Sequence, residues 1–266
     1  MIHERVDLRD DGSAYITTYI VDDPIELERK RPVVVICPGG AYAFCSSREG
    51  EPVALAFNAA GFHAVVVNYR VNTLFPAALT DLSDAVCEVR KRAEQWRIDT
   101  DKVIVCGFSA GGHLAASLGV FYNSETAIMR EDGLNKPDGL ILGYPVISSG
   151  EKGHKESIRN IAGDSEEIAE KMSLENHVTD ECPPVFIWHS FTDTIVPVQN
   201  SIYMAEALAD KHIPVELHIF PNGPHGMSVA NEFVAESESG NRPEVQKWIE
   251  MAVQWINNFP PCCAEC

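Results

Sequence analysis

The sequence predicts an α/β fold in which a mostly parallel central sheet is wound with helices on both faces. Two observations carry that expectation. Short, continuous apolar runs recur along the chain, such as Pro32-Val33-Val34-Val35-Ile36-Cys37, as strands do when both faces of a parallel sheet are covered. Stretches of helical periodicity alternate with these runs from residue 32 to residue 259. The length of 266 residues suits one domain, and 45% hydrophobic with 23% charged residues suits a packed globular chain.

In order, residues 1–31 alternate weakly, and Ala14 to Ile20 is the clearest strand there, read as an antiparallel edge. The strand 32–37 runs into Pro38-Gly39-Gly40-Ala41-Tyr42, and helical pattern resumes at 51–60. A strand at 63–69, a helix at 79–96, a strand at 102–106 and a helix at 112–122 follow. Next come strands at 139–144 and 185–189, a helix at 198–212, a strand at 215–220 and a helix at 243–259. Residues 145–182 interrupt the alternation with polar and charged sequence, holding one short helix-like stretch at 165–173. A small cap insertion within a single domain, residues 1–266, is expected there, since an excursion from a strand's C-terminal end is placed to cover a site.

Chemistry is expected first at Gly107-Phe108-Ser109-Ala110-Gly111. This G-x-S-x-G follows the apolar run Val103 to Cys106 and opens the helical stretch Leu114 to Leu118. Strand, motif, helix is the context in which the central Ser becomes a nucleophile on a sharp turn. A serine hydroxyl is a poor nucleophile until a base takes its proton, and the base needs a carboxylate to hold its tautomer. His225 lies in the Pro/Gly-dense loop Phe220 to Gly226, and Asp193 lies just past the strand ending at His189. Ser109, Asp193 and His225 thus follow three strands in the chain order of the α/β-hydrolase triad. An acyl-transfer intermediate also needs N–H donors where its negative charge develops. The expected donors are the backbone N–H groups of Gly40, Ala41 and Ala110.

The chain resembles α/β-hydrolases of the esterase/lipase group, in particular bacterial acetylxylan esterase-like carbohydrate esterases. The resemblance rests on Cys37 to Tyr42, Arg48 to Ala54, Asn68 to Val71, Gly107 to His113, Trp188 to Val198 and Phe220 to Gly226. It implies hydrolysis of short-chain, chiefly acetyl, carboxylic esters without a cofactor or metal. It also assigns the triad roles to Ser109, Asp193 and His225. Pro38 stands where the common lipase motif opens with His, and Ser190 where Gly often follows the Trp-His pair.

Other polar residues carry narrower expectations. Tyr42 is a candidate substrate contact closing over the acyl group, with plain packing as its other reading. His113 and His189 are expected to brace the elbow and the Asp193 loop through hydrogen bonds. Arg48 and Glu49 are expected to cap the following helix, with lining the pocket as their other reading. His154 and Ser149 lie in the insertion and could reach a substrate.

The net charge of −18, from 39 acidic and 21 basic residues, disfavours nucleic acid and anionic membrane as partners. It points to a neutral or cationic substrate, and the resemblance implies a small-molecule ester, acetylated oligosaccharides among them. The start of the sequence carries no apolar signal-like stretch, and the eight cysteines lack the spacing of a secreted disulfide framework, so a cytoplasmic setting is expected. The tail cysteines Cys262, Cys263 and Cys266 lack the His partners and paired spacing of a metal site. Two alternatives share the fold: a small peptidase of the prolyl-oligopeptidase type, and a non-catalytic ligand-binding hydrolase.

Overall fold

Eight strands form one sheet in a computed structural model that describes residues 1–23, 29–123, 130 and 132–259. The tail cysteines singled out above lie outside the described residues. The chain opens with β1 (Arg5–Asp7), β2 (Tyr15–Tyr19) and β3 (Arg31–Cys37), followed by α1 (Glu51–Ala59) and β4 (His63–Asn68). Helices α2 (Ala77–Lys91) and α3 (Ala93–Trp96) lead to β5 (Ile98–Phe108), α4 (Ala110–Phe121) and β6 (Gly139–Gly143). Then come α5 (Lys155–Ala162), α6 (Glu166–Lys171), β7 (Val185–Ser190), α7 (Gln199–Asp210) and β8 (Val215–Phe220), and finally α8 (Pro243–Gln246) and α9 (Trp248–Asn257). The strand order is β1-β2-β4-β3-β5-β6-β7-β8; β1, β2 and β4 pair antiparallel, and every later pairing is parallel.

Side chains alternate across a strand, so each central strand feeds two apolar layers. Val33, Val35, Val103 and Val105 pack with α2 and α4 residues such as Leu82, Val86 and Leu114. Val34, Ile36, Ile104 and Cys106 pack on the other face with Phe57 of α1 and Trp248 and Ile256 of α9. This double covering is why the strands read as continuous apolar runs rather than as alternation. Among the described residues no helix is long and apolar enough to cross a membrane.

Several element expectations need correction. The strand at Ala14 to Ile20 is not the sheet edge, because β1 pairs along its outer side. The helix expected at 79–96 breaks at Arg92, and Arg97 ends it with φ +54°, a left-handed C-terminal cap. The helix expected at 243–259 is likewise two pieces. Residues 145–182 are more structured than their polarity suggested. Val146 and Ile147 are fully buried, and α5 turns Ile158, Ile161 and Ala162 into the core at helical spacing. The single predicted stretch at 165–173 is α6, followed by a 3₁₀ turn at Leu174–His177.

Candidate active site

Ser109 stands between the end of β5 and the start of α4 with φ +52° and ψ −119°, a conformation that non-glycine residues rarely adopt. Its neighbours hold it there. The Ser109 N–H donates to Gly143 O at 3.1 Å, and its carbonyl accepts from His113 N and Val146 N. The flanking glycines are sterically required: a Cβ on Gly107 would lie 2.1 Å from Gly111 O, and one on Gly111 would lie 2.1 Å from Cys37 O. The motif is thus a strand end, a helix start and the loop after β3 pressed backbone to backbone.

The loops after β7 and β8 bring Asp193 and His225 to this turn. His225 Nε2 lies 2.8 Å from Ser109 Oγ, and His225 Nδ1 lies 2.6 Å from Asp193 Oδ2. A carboxylate can only accept, so Nδ1 carries the proton and Nε2 is free to accept from the hydroxyl. Asp193 Oδ1 accepts from Ile195 N and Val196 N. Burial alone would raise this carboxyl, but hydrogen bonds from His189 and His225 outweigh it and hold Asp193 well below the usual carboxylate range. His189 is fully buried and does not reach Ser109. Its Nε2 donates to Val196 O and lies 3.3 Å from Asp193 Oδ2, while Nδ1 accepts from Ser201 Oγ.

The loop after β3 passes beside the serine. Gly40, Ala41 and Tyr42 have φ of +126°, +54° and +61°, three successive residues in left-handed space, two of them with side chains. Each non-glycine residue there stores about 1 kcal/mol or more. Of the predicted donors, Ala110 is the first residue of α4, where backbone N–H groups lack a helical partner, and Gly40 and Ala41 are partly exposed. The Gly39 N–H is taken: Glu49 Oε2 accepts from it at 2.7 Å.

Tyr42 requires a correction. Its side chain is only 3% exposed and lies in the core, the ring edge-on to Tyr69 and the hydroxyl 2.8 Å from His113 Nδ1. It packs beneath the loop rather than closing over an acyl group. His113 is fully buried, and burial pushes its imidazole down to about 4, so it is neutral near pH 7. Met172 O accepts from Nε2 at 3.0 Å, which leaves Nδ1 to accept from the Tyr42 hydroxyl.

Glu49 was expected to cap a helix, and the structure buries it instead, at 4% exposure. Its second oxygen accepts from Tyr144 Oη at 2.7 Å, and Tyr144 Oη in turn accepts from Ser228 N at 2.8 Å. Burial, then the Glu49 charge, raises the Tyr144 phenol well above its ordinary value, so it stays a donor. Tyr144 also sets its ring edge-on to His225, with centroids 5.0 Å apart. Glu49 was singled out in the sequence for a different role, and Tyr144 and Ser228 escaped sequence reasoning because nothing local marks them; the partners of all three are distant in the chain. Of the insertion residues, His154 caps α5 by accepting from Ser157 N, and Ser149 bonds Ser173. Burial, then the nearby His225, lowers the His154 imidazole. Around this frame Phe44, Leu74, Phe191 and Ile195 stand exposed on loops that leave the C-terminal ends of β3, β4 and β7.

The BD-FAE family model matches residues 21–139, and that of the prolyl oligopeptidase family matches residues 151–240. Endo-1,4-beta-xylanase B of Butyrivibrio fibrisolvens is 38% identical over 227 residues, covering 82% of this chain and 36% of that protein. The acetylxylan esterase of Xylanibacter ruminicola is 30% identical over 239 residues, covering 86% of this chain and 46% of that protein. The chain therefore spans less than half the length of either relative. Among solved structures, the acetyl ester-xyloside bifunctional hydrolase from Caldicellulosiruptor lactoaceticus aligns with a TM-score of 0.81 at 34% identity, over 92% of this chain and 87% of that one.

Proposed function

This chain belongs to the esterase-like α/β-hydrolases, and from that premise we propose that it is a serine carboxylesterase removing short acyl groups, acetyl foremost, from hydroxylated substrates such as acetylated oligosaccharides. The observation that carries the reading is the unbroken hydrogen-bonded line from Ser109 Oγ through His225 to Asp193. In the proposed reaction Ser109 Oγ attacks the ester carbonyl as His225 Nε2 takes its proton, and Asp193 stabilises the imidazolium. The negative charge on the tetrahedral oxygen meets the N–H groups of Gly40, Ala41 and Ala110, since that of Gly39 is committed to Glu49. His225 returns the proton to the leaving alcohol as the C–O bond breaks. Water, deprotonated by the same imidazole, then releases the carboxylic acid from Ser109.

Acetylated sugar as the substrate class is supported by the acetylxylan esterase and the acetyl ester-xyloside hydrolase to which the chain is similar. A neutral ester also suits a chain of net charge −18. A cytosolic setting belongs to the same proposal. Cys37, Cys45, Cys87, Cys106 and Cys182 are free thiols, which suits a reducing compartment.

The match of residues 151–240 to the prolyl oligopeptidase family favours one second reading, a small peptidase using the same residues. A single panel separates the two. Acetyl, butyryl and octanoyl p-nitrophenyl esters and acetylated xylo-oligosaccharides are assayed beside an aminoacyl-p-nitroanilide, with the Ser109→Ala variant as control. The esterase reading expects turnover highest on acetyl esters and lost in the variant. Turnover of the amide alone, or full activity in Ser109→Ala, would reject it.

A further inference from the structure

Asn160, in α5 of the 145–182 insertion, donates through Nδ2 to Ala41 O at 2.7 Å, across 119 positions of sequence. Ala41 is one of two non-glycine residues held in left-handed conformation in the loop beside Ser109. The insertion grips that loop at a second point. Met172 O accepts from His113 Nε2, whose other nitrogen accepts from the Tyr42 hydroxyl. A third contact runs beside them, where Phe75 N donates to Ile161 O and Asn72 N donates to Tyr42 O. The carbonyl of Ala41 and the side chain of Tyr42 belong to consecutive residues, so both sides of one peptide unit are tied to the same inserted segment.

From this geometry we infer that the insertion is a brace for the anion site and that Asn160 is a positioning residue of the reaction, acting through the Ala41 peptide rather than by touching substrate. Two successive left-handed residues with side chains relax toward ordinary φ unless something opposes the rotation. Rotation of the 41–42 peptide carries Ala41 O away from Asn160 and turns the Ala41 Cα, which swings the adjoining Ala41 N–H off the line to the developing oxyanion. Donors contribute most when they need no reorganisation as charge develops. A hydrogen bond that prevents the rotation therefore acts on the transition state and leaves ground-state binding nearly alone. This inference rests on the esterase reading, because only acyl transfer gives the Ala41 N–H a charge to meet.

The test compares Asn160→Ala, Asn160→Asp and Asn160→Gln with the parent and with Ser109→Ala, on p-nitrophenyl acetate. Asn160→Asp is nearly isosteric and keeps α5 packed, but replaces the donor with a carboxylate facing a carbonyl oxygen. Both Asn160→Ala and Asn160→Asp are expected to lose about 10-fold to 100-fold in kcat with KM within about twofold. Binding of a methylboronic acid, which forms a tetrahedral adduct on the serine, is expected to weaken by a similar factor. Asn160→Gln, which restores an amide donor, is expected to recover part of kcat. Exposed Arg159→Ala on the same helix is expected to change neither parameter. The inference is overturned if Asn160→Asp keeps full kcat and boronate affinity, or if its loss lies in KM alone. Retained turnover in Ser109→Ala would instead overturn the esterase reading, whatever the Asn160 variants do.

Discussion

The carboxylate of Glu49 accepts the backbone N–H of Gly39 at 2.7 Å, which places a buried acid directly behind the loop that borders Ser109. A Cβ on Gly39 would come within 2.8 Å of that carboxylate and 3.0 Å of Ser109 Cβ, so acid, loop and nucleophile are in contact through one glycine. Because the other Glu49 oxygen takes the Tyr144 hydroxyl, the same side chain also anchors Ser228 and the loop carrying His225.

Replacing Glu49 should therefore disturb both halves of the site. Glu49→Ala leaves the Gly39 N–H and the Tyr144 hydroxyl buried without acceptors, which costs roughly 2–3 kcal/mol for each broken charge-assisted bond. We expect a clear fall in the urea midpoint and at least a 10-fold loss of kcat. Glu49→Gln keeps an acceptor for one partner and should be the milder variant. Paired urea titrations and p-nitrophenyl acetate kinetics decide the order, and equal behaviour of Glu49→Ala and the parent would remove Glu49 from the site.

Asp193→Asn tests the tautomer argument. The amide can present its NH₂ to His225 Nδ1, which favours the imidazole with the proton on Nε2, unable to accept from Ser109. A fall in kcat of about 10⁴-fold is expected while the fold is kept. Steady-state kinetics beside far-UV circular dichroism would show it, and a fall below tenfold would mean that His225 does not depend on Asp193.

Gly111→Ala should fail for steric reasons. The added methyl would meet Cys37 O at 2.1 Å and Pro38 O at 2.4 Å, both backbone atoms that cannot swing aside. Overpacking against backbone in a core costs about 3 kcal/mol or more. Thermal melting should register this as a large drop in Tm or as insoluble expression.

Stability should fall with acid through two histidines far from each other. Burial holds both His63 and His113 at about 4, below the ordinary 6.5, so the unfolded chain binds their protons first as pH drops. The stability that the two neutral rings contribute is complete above pH 6.5 and is lost as pH falls toward 4. Each accounts for roughly 3 kcal/mol across that window. Asp193 acts in the same direction at lower pH, since its folded value lies below the usual carboxylate range. Urea midpoints at pH 7, 5.5 and 4.5 should slope accordingly, and His113→Gln should flatten the slope; an unchanged slope would contradict a neutral buried His113.

Much of this was legible in the sequence because it is local. Parallel strands announce themselves as apolar runs once both faces are covered, and Ser109 and Asp193 each follow such a run, whereas the strand before His225 is half-buried and carries Glu216 and His218. What escaped was set by contacts between distant loops. Glu49 read as a helix cap because its neighbours are polar, although its partners are Gly39, Tyr144 and, through Tyr144, Ser228. Helix α5 was hidden because Lys155, Glu156, Arg159 and Asn160 dominate its composition, while only Ile158, Ile161 and Ala162 mark its buried side. Tyr42 read as a substrate contact because its position beside Gly40 is visible and its inward rotation is not. That rotation depends on His113, 71 positions away.

The exposed quartet Phe44, Leu74, Phe191 and Ile195 has a practical consequence. Gly39, Gly107 and Gly111 are interlocked through backbone contacts, so none of them can vary alone. The four apolar side chains lie on loops of the same face, yet none of them supplies a bond to the reacting line. Selection for new esters can therefore vary those four side chains together with the three glycines left untouched, proline being excluded where an N–H is bonded, as at Ile195 and Phe44, whose N–H groups bond Asp193 Oδ1 and Gly40 O.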